Sequence, residues 1–450
     1  MADFPAQVFK SYDIRGKVGS ELNEQLVHDI GRAFADFLPT EGPVAVGYDM
    51  RPDSKAYATA IIAGLTEQGR DVWDLGMIAT DMIYFAVGSN KLAGGAVVTA
   101  SHNPGEFNGI KLCREDAIPV GEFSGLFGIR DAVKAQSFKN VSNTGTVANK
   151  DIVEGWIGHV LSFIDTAKLK PLNIAVDAGN GMAGEIFAEL EPYVPWRVKE
   201  MYFEPDGTFP NHEANPMKSE TLVDIIKEIK QNNLDGGIAF DGDGDRAFLL
   251  DETGKVIPGS AMSALLADYF AGLNPGATII YDVRSSKYVA EVITAAGGKP
   301  FRTKVGHSNI KQAMREHNAP YGGESSGHFY FKENWFADSG LIAAVIGLYV
   351  ATINNVKLSD LRKKYTKYFA IEETNFVVED KDAKMEEIVN AYPLAMSVDR
   401  LDGVTLTFKN GSWMNIRPSN TESLLRLNVE AESEQELDAL VSGVSEYFTK

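Results

Sequence analysis

Three segments of this chain follow one plan. "VAVGYDMRPDS" (44–54), "NIAVDAGNGMAG" (173–184) and "TIIYDVRSSKYV" (278–289) each pass from a short apolar run to an Asp, a polar or glycine-rich turn and a helix-like stretch. Each has a later partner: "GGAVVTASHNP" (94–104), "GGIAFDGDGDR" (236–246) and "PYGGESSGH" (320–328). In the first two partners Gly-Gly leads through apolar residues into a dense polar loop, and in the third it leads straight into the loop. Apolar runs of about five residues alternating with helical segments mark strands buried inside α/β sheets. Ligands of such sheets gather beyond the carboxyl ends of strands. The repeat predicts three related α/β domains with mixed sheets, each offering one loop to a shared cleft.

The tail departs from the plan. Strand-like residues flank Asn410-Gly411, a strong hairpin signal, and a helical segment follows from Glu434 to Tyr447. This predicts a smaller α+β C-terminal domain. The expected divisions are 1–150, 151–252, 253–368 and 369–450, and a chain of 450 residues is too long for one core.

The sequence also excludes several classes. A single cysteine, Cys113, rules out an internal disulfide and a cysteine-built metal site. A formal charge of -19 opposes binding to nucleic acid or to an acidic membrane, so an anionic substrate needs a local cluster of cations. The uncharged stretch from Ser339 to Val356 has a compact apolar part only from Leu341 to Ile353, too short for a bilayer, and Asp338 or Ser339 reads as its N-cap. A buried helix is expected there. The opening residues lack an apolar signal core, which makes a cytoplasmic location the expectation.

"DGDGDR" (241–246) sets Asp241, Asp243 and Asp245 at alternate positions, with glycines that let the chain turn and the carboxylates converge. Such charges repel unless a hard divalent cation joins them. A calcium loop of the EF-hand type is a rival, with Glu252 at its twelfth position. Arg246 stands where that loop needs glycine, however, and Phe248-Leu249-Leu250 reads as a strand. Ser101, in "TASHNP", lacks the G-x-S-x-G elbow of a hydrolase, and the seven histidines show no zinc spacing. What remains is an exposed serine that gives or takes a phosphoryl group beside one magnesium ion. "RPSNTE" (417–422) suits a phosphate or a capped turn, and "GESSGH" (323–328) suits sugar hydroxyls.

Together the loops resemble the α-D-phosphohexomutase family, most closely its phosphomannomutase/phosphoglucomutase group. "SYDIRG" (11–16), "TASHNP" (99–104), "NGIK" (108–111), "DGDGDR" (241–246), "GHS" (306–308), "GGESSGH" (322–328) and "RPSNTE" (417–422) stand in family order across nearly the whole chain. The resemblance implies that Ser101 carries the phosphoryl group and that Asp241, Asp243 and Asp245 hold Mg²⁺ together with a phosphoserine oxygen. Arg15, His102, Lys111 and His328 match residues that surround the phosphoserine, with Lys111 or His328 handling the proton of the attacking hydroxyl. Arg246 would support the loop or the phosphate region. Glu324 and Ser326 match the pair that reads sugar hydroxyls, and Tyr12 and His307 match substrate-contacting positions. Arg417, Ser419, Asn420 and Thr421 match the phosphate-binding loop of the last domain.

Two departures bear on sugar preference. Arg284 stands where relatives often carry lysine, and Ser325 stands where many bispecific members have methionine. The implied reaction interconverts hexose 6-phosphate and hexose 1-phosphate of mannose, glucose or both. It proceeds through a hexose 1,6-bisphosphate, which also serves as activator. A phosphoglucosamine mutase shares this chemistry, and a non-catalytic, metal-stabilised sugar-binding protein is the rival of another class. The expected partners are small sugar phosphates, with neither nucleic acid nor membrane.

Overall fold

The computed structural model describes residues 4–419 and 424–448. The chain divides into two compact units, 1–258 with 326–362 and 259–325 with 363–450.

The first unit opens on a seven-stranded mixed sheet. Its order is Ile14–Lys17, Phe107–Arg114, Gly94–Val98, Val44–Tyr48, Val72–Met77 and Val147–Asn149, with Ile118–Pro119 beside Phe107–Arg114. Val44–Tyr48 runs parallel to its two neighbours, whereas Gly94–Val98 and Phe107–Arg114 are antiparallel, Val98 facing Ile110. Gly94–Val98 is buried throughout, as a strand covered on both faces must be. Val44, Val46, Ala96, Val98 and Ile110 close a core with Ile30, Phe34, Ile61 and Leu65 of the helices Glu24–Phe37 and Ser54–Glu67.

The second sheet repeats the device. Gly236–Phe240, also wholly buried, is parallel to Leu172–Asp177 and antiparallel to Ala247–Asp251, Phe240 facing Ala247. The loops 99–106 and 241–246 are therefore equivalent: each is the hairpin turn at the carboxyl end of a buried parallel strand. Phe248-Leu249-Leu250 is a strand, as the residue types imply. The apolar stretch after Ser339 is the helix Gly340–Asn354, buried along nearly all its length, and Ser339 Oγ caps it by accepting from Ile342 N at 3.1 Å. Among the described residues no single helix is long and apolar enough to cross a membrane.

In the second unit Thr278–Asp282 lies between Lys299–Thr303 and Tyr321–Gly323, parallel to both. The C-terminal portion is an antiparallel sheet in the order Phe369–Ala370, Leu424–Ala431, Trp413–Pro418, Val404–Thr407 and Ser397–Asp399, with Thr374–Val377 also paired to Leu424–Ala431. Asn410-Gly411 forms the turn between Val404–Thr407 and Trp413–Pro418, with Gly411 at φ 85°. The helices Lys381–Ala391 and Glu434–Ser445 contribute Met385, Ile388, Leu437 and Val444 to its core. The fold class is the expected one: α/β in the first three portions and α+β in the last.

Candidate active site

Ser101 sits three residues past the strand Gly94–Val98. The sequence implies an exposed serine, and the structure corrects this: Ser101 is only 5% exposed. The cause is close packing of main chain on main chain, since a Cβ built on Gly242 would lie 2.7 Å from the Ser101 carbonyl oxygen. Ser101 adopts φ 52°, a left-handed conformation that costs a residue with a side chain about 1–2 kcal/mol. Its N–H donates to Thr99 Oγ1 at 2.9 Å. Its hydroxyl donates to Asp241 Oδ2 at 3.0 Å and lies 3.1 Å from His102 Nδ1.

The strain is held by a residue that no motif reveals. Arg51, 3% exposed, donates to Ser101 O at 2.8 Å, Asn103 O at 2.6 Å, and Pro104 O and Phe107 O at 3.0 Å each. Asp49 anchors it, with Oδ2 3.3 Å from Arg51 Nε, while Asp49 Oδ1 accepts from Arg51 N and Ser54 Oγ. Arg15 supports the same loop, donating to Asn103 Oδ1 at 2.7 Å and to Asp13 Oδ2 at 2.5 Å. Tyr12 lies on the segment leading into the strand of Arg15.

Asp241, Asp243 and Asp245 are buried, and one oxygen from each lies within 4.8 Å of the other two. Lys111 Nζ bridges Asp243 Oδ2 at 2.7 Å and Asp245 Oδ2 at 2.6 Å. Arg246 Nε donates to Asp241 Oδ2 at 2.8 Å, and its Nη2 lies 2.5 Å from His102 Nδ1. Thr80, at the start of the helix Thr80–Asn90, donates its hydroxyl to Asp243 Oδ2 at 2.6 Å and its N–H to Asp243 O at 2.9 Å. His328 Nε2 stands 3.7 Å from Asp245 Oδ1, and Ser326 Oγ stands 3.1 Å from His328 Nδ1.

Burial pushes the Asp241 carboxyl up to about 8, against the pull of Arg246 and with the push of Asp245 and Asp243. Burial also opposes ionisation of Asp245, but Lys111 and His328 outweigh it and hold that carboxyl low. Lys111 is likewise kept as an ammonium, burial notwithstanding, by Asp243 and Asp245. His102 goes the other way: burial, then Arg246 and Arg15, keep its imidazole neutral.

These groups fit a divalent cation. Asp243 Oδ1 and Asp245 Oδ1 are buried without a hydrogen-bond partner, an arrangement costly for carboxylates unless an ion completes it. A bound dication would hold all three carboxylates ionised. The EF-hand alternative loses its last ligand, because Glu252 Oε1 is taken by Ser359 Oγ at 2.6 Å.

The first unit thus brings together Arg15, Ser101, His102, Lys111, Asp241, Asp243, Asp245, Arg246, Ser326 and His328. Tyr12 also belongs to the first unit, and the remaining sequence-derived candidates lie in the second. There Arg284 Nε donates to Asp282 Oδ2 at 2.8 Å, and its Nη2 is 3.5 Å from Glu324 Oε2. Glu324 Oε1 accepts from Gly306 N at 3.1 Å, beside His307 at the start of the helix His307–His317. Arg417 lies on the strand Trp413–Pro418 and is 6% exposed, and Ser419 N donates to Leu424 O at 2.8 Å. Asn420 and Thr421 lie outside the described residues.

Family models for phosphoglucomutase/phosphomannomutase match the chain in sequence order: alpha/beta/alpha domain I over residues 6–140, domain II over 154–254, domain III over 258–368 and the C-terminal domain over 373–446. A protein of Xanthomonas campestris named for phosphohexose mutases is 41% identical over 432 residues, covering 95% of this chain and 96% of its own. A phosphomannomutase of Escherichia coli is 39% identical over 436 residues, covering 94% of both chains. The crystal structure of a phosphoglucomutase/phosphomannomutase family protein from Burkholderia thailandensis superposes with a TM-score of 0.90 at 30% identity, covering 98% of this chain and 97% of that one. The chain belongs to the phosphoglucomutase/phosphomannomutase family.

Proposed function

We propose that this chain is a cytoplasmic phosphohexomutase that interconverts hexose 6-phosphate and hexose 1-phosphate, with mannose phosphates, glucose phosphates or both as its substrates. One observation carries the reading: the Ser101 hydroxyl lies 3.0 Å from Asp241 Oδ2, within a buried carboxylate trio whose other two members each keep an oxygen without a hydrogen-bond partner. Asp241, Asp243 and Asp245 would hold Mg²⁺, which supplies positive charge for the transferring phosphoryl oxygens.

In the resting enzyme Ser101 carries a phosphoryl group. A hydroxyl of the bound sugar phosphate attacks it, so the Ser101 Oγ–P bond breaks as the sugar O–P bond forms. The resulting 1,6-bisphosphate turns end for end and returns its other phosphoryl group to Ser101. Lys111 or His328 handles the proton of the attacking hydroxyl, Lys111 Nζ standing 2.7 and 2.6 Å from Asp243 and Asp245 and His328 Nε2 standing 3.7 Å from Asp245. Neutral His102 lies beside Oγ and helps to orient it. Glu324 and Ser326 read the sugar hydroxyls. Arg417, with Ser419, Asn420 and Thr421, grips the phosphate that is not being transferred. We also propose that work is divided among domains ending near 150, 252, 368 and 450.

The direct test supplies mannose, glucose and glucosamine 1-phosphates, each with its 1,6-bisphosphate, and follows the 6-phosphates. Turnover of mannose 1-phosphate, glucose 1-phosphate or both is expected. A protein that turns over only the glucosamine ester, or none, would overturn the assignment.

Two further outcomes are expected. Excess chelator abolishes turnover, Mg²⁺ restores it, and Ca²⁺ binds without restoring it, because the larger ion tolerates looser geometry. Asp243→Asn lowers kcat by roughly 100-fold or more, since it removes charge from the ion's seat. Undiminished activity in chelator would contradict this. In the second unit, Arg417→Ala is expected to lower kcat/KM by roughly 30- to 1000-fold, as loss of a charge-assisted fork implies about 2–4 kcal/mol. Arg417→Lys recovers only part, because an ammonium cannot form the fork. Steady-state kinetics decide, and wild-type kcat/KM in Arg417→Ala would reduce "RPSNTE" to a turn.

A further inference from the structure

Arg417 and Arg426 face each other directly across neighbouring antiparallel strands, Trp413–Pro418 and Leu424–Ala431. Like charges in that position repel and destabilise a sheet. The carboxylate that resolves the conflict comes from Glu373, just before the strand Thr374–Val377. That strand lies on the other side of Leu424–Ala431, with Thr374 opposite Leu427, so the register sets Glu373 beside Asn428. Glu373 Oε2 accepts from Arg417 Nη2 and from Asn428 Nδ2, both at 3.2 Å, and Oε1 accepts from Arg426 Nη1 at 2.9 Å. Arg284 Nη1 is 3.8 Å from Oε2. Three guanidinium groups therefore converge on one carboxylate. Burial opposes the charge on Glu373, but Arg284 and Arg417 prevail and hold its carboxyl down to about 2.

Arg284 extends the network. Its fork spans Asp282, Glu324 and Glu373, at 2.8, 3.5 and 3.8 Å. A lysine ammonium carries its donors on one nitrogen, whereas the guanidinium spreads them over three nitrogens that here meet three carboxylates separately. Arg284 thus ties Glu324, which the family resemblance assigns to sugar hydroxyls, to the carboxylate that holds Arg417.

We propose that Glu373 is the positioning residue of the distal phosphate seat: it clamps Arg417, Arg426 and Arg284 in fixed orientations before a sugar phosphate arrives. The proposal rests on the reading that Arg417 grips the non-reacting phosphate. It has a clear opposite, in which Glu373 sits where the phosphate must go and competes with it. The two differ in sign. Without its clamp the cluster repels itself and loses order, so binding weakens. Without a competitor, binding tightens.

The test uses the full chain with Glu373→Gln, which keeps size and removes charge, and Glu373→Asp, which keeps charge on a shorter arm. KM for mannose 1-phosphate and for glucose 1-phosphate, kcat, and the rise in Tm produced by mannose 1-phosphate are measured for each. In Glu373→Gln, KM is expected to rise roughly 10-fold while kcat falls less, and the ligand-induced rise in Tm is expected to shrink in parallel. Glu373→Asp is expected to recover part of both. A lower KM in Glu373→Gln identifies a competitor and overturns the proposal. A lower basal Tm with unchanged KM and unchanged ligand-induced stabilisation identifies a merely structural pair and also overturns it. Arg417→Ala separates the two levels: if it raises KM and Glu373→Gln does not, only the clamp fails. If neither variant changes KM, the phosphate reading of Arg417 falls and takes the clamp with it.

Discussion

Ser101→Ala is expected to be folded, to bind the metal ion and to lack turnover. The variant removes one hydroxyl, whose partners are Asp241 Oδ2 and His102 Nδ1. It does not touch what shapes the loop, because Arg51 holds that loop by its carbonyl oxygens. The loss in kcat should be on the order of 10⁴-fold or more, since the variant lacks the hydroxyl that carries the phosphoryl group in the proposed mechanism. Lys111, Thr80, Asp49 and Ser54 all lie close to this region, but Lys111 is an ammonium and the two hydroxyls are committed to Asp243 and Asp49. Intact mass and peptide mapping after incubation with hexose 1,6-bisphosphate should find one phosphoryl group on Ser101 in the parent chain and none in the variant. Near-normal turnover by Ser101→Ala would remove the phosphoserine from the mechanism.

Arg51→Met should be strongly damaging, because the contacts of Arg51 are to the loop carbonyls and to Asp49. It strips the donor from four loop carbonyls and leaves Asp49 buried with its charge uncompensated. Breaking a buried ion pair from one side costs about 3–5 kcal/mol of stability. The loop then loses what keeps Ser101 in its left-handed conformation, and a misplaced nucleophile costs roughly 100-fold in kcat. Arg51→Lys should keep part of the stability and little of the rate, because one ammonium cannot reach four carbonyls. Arg362→Met separates the two effects. It removes a 2.7 Å contact with Asp251 in the same unit, so it should lower Tm while leaving kcat intact. Thermal unfolding and pre-steady-state phosphorylation of Ser101 measure both quantities. A folded Arg51→Met with parental kcat would show that the loop holds its own shape.

The contrast between Ser101 and Arg51 explains how much of the site was legible in the sequence. Ser101 and the three aspartates stand in dense loops at strand ends, where groups proposed to act on a ligand through side-chain atoms gather. Their spacing is therefore visible, as was the repeat that carries them. Lys111, by contrast, lies within the strand Phe107–Arg114 and is reached only through the family resemblance. Arg51 and Thr80 act on the backbone or carboxylate of another segment, 50 and 163 residues away. Nothing local distinguishes such an arginine from one on the surface. Glu373 is hidden for the same reason: no motif contains it, and only sheet register brings it to Arg417 and Arg426. The burial of Ser101 is not legible in its own loop, because a loop's exposure depends on what packs over it, here the main chain of a different sheet's hairpin. The helix after Ser339 and the turn at Asn410-Gly411 were legible because a cap and a turn are local chemistry.

The approach of Gly242 to Ser101 has a consequence for how such a protein can change by descent. A Cβ at 242 would meet the Ser101 carbonyl at 2.7 Å, and a Cβ at Gly181 would meet the Gly242 carbonyl at 2.6 Å. Three chain segments, from two sheets, are thus stacked peptide on peptide with no side chain between them to absorb a shift. Drift at 181 or 242 toward any larger residue displaces the backbone that packs on Ser101, so neither position can vary alone. Recombination meets the same barrier. A first-sheet segment taken from a distant relative would work here only if its serine loop met these two glycines at the same spacing, so the three stretches must travel through lineages as one heritable block.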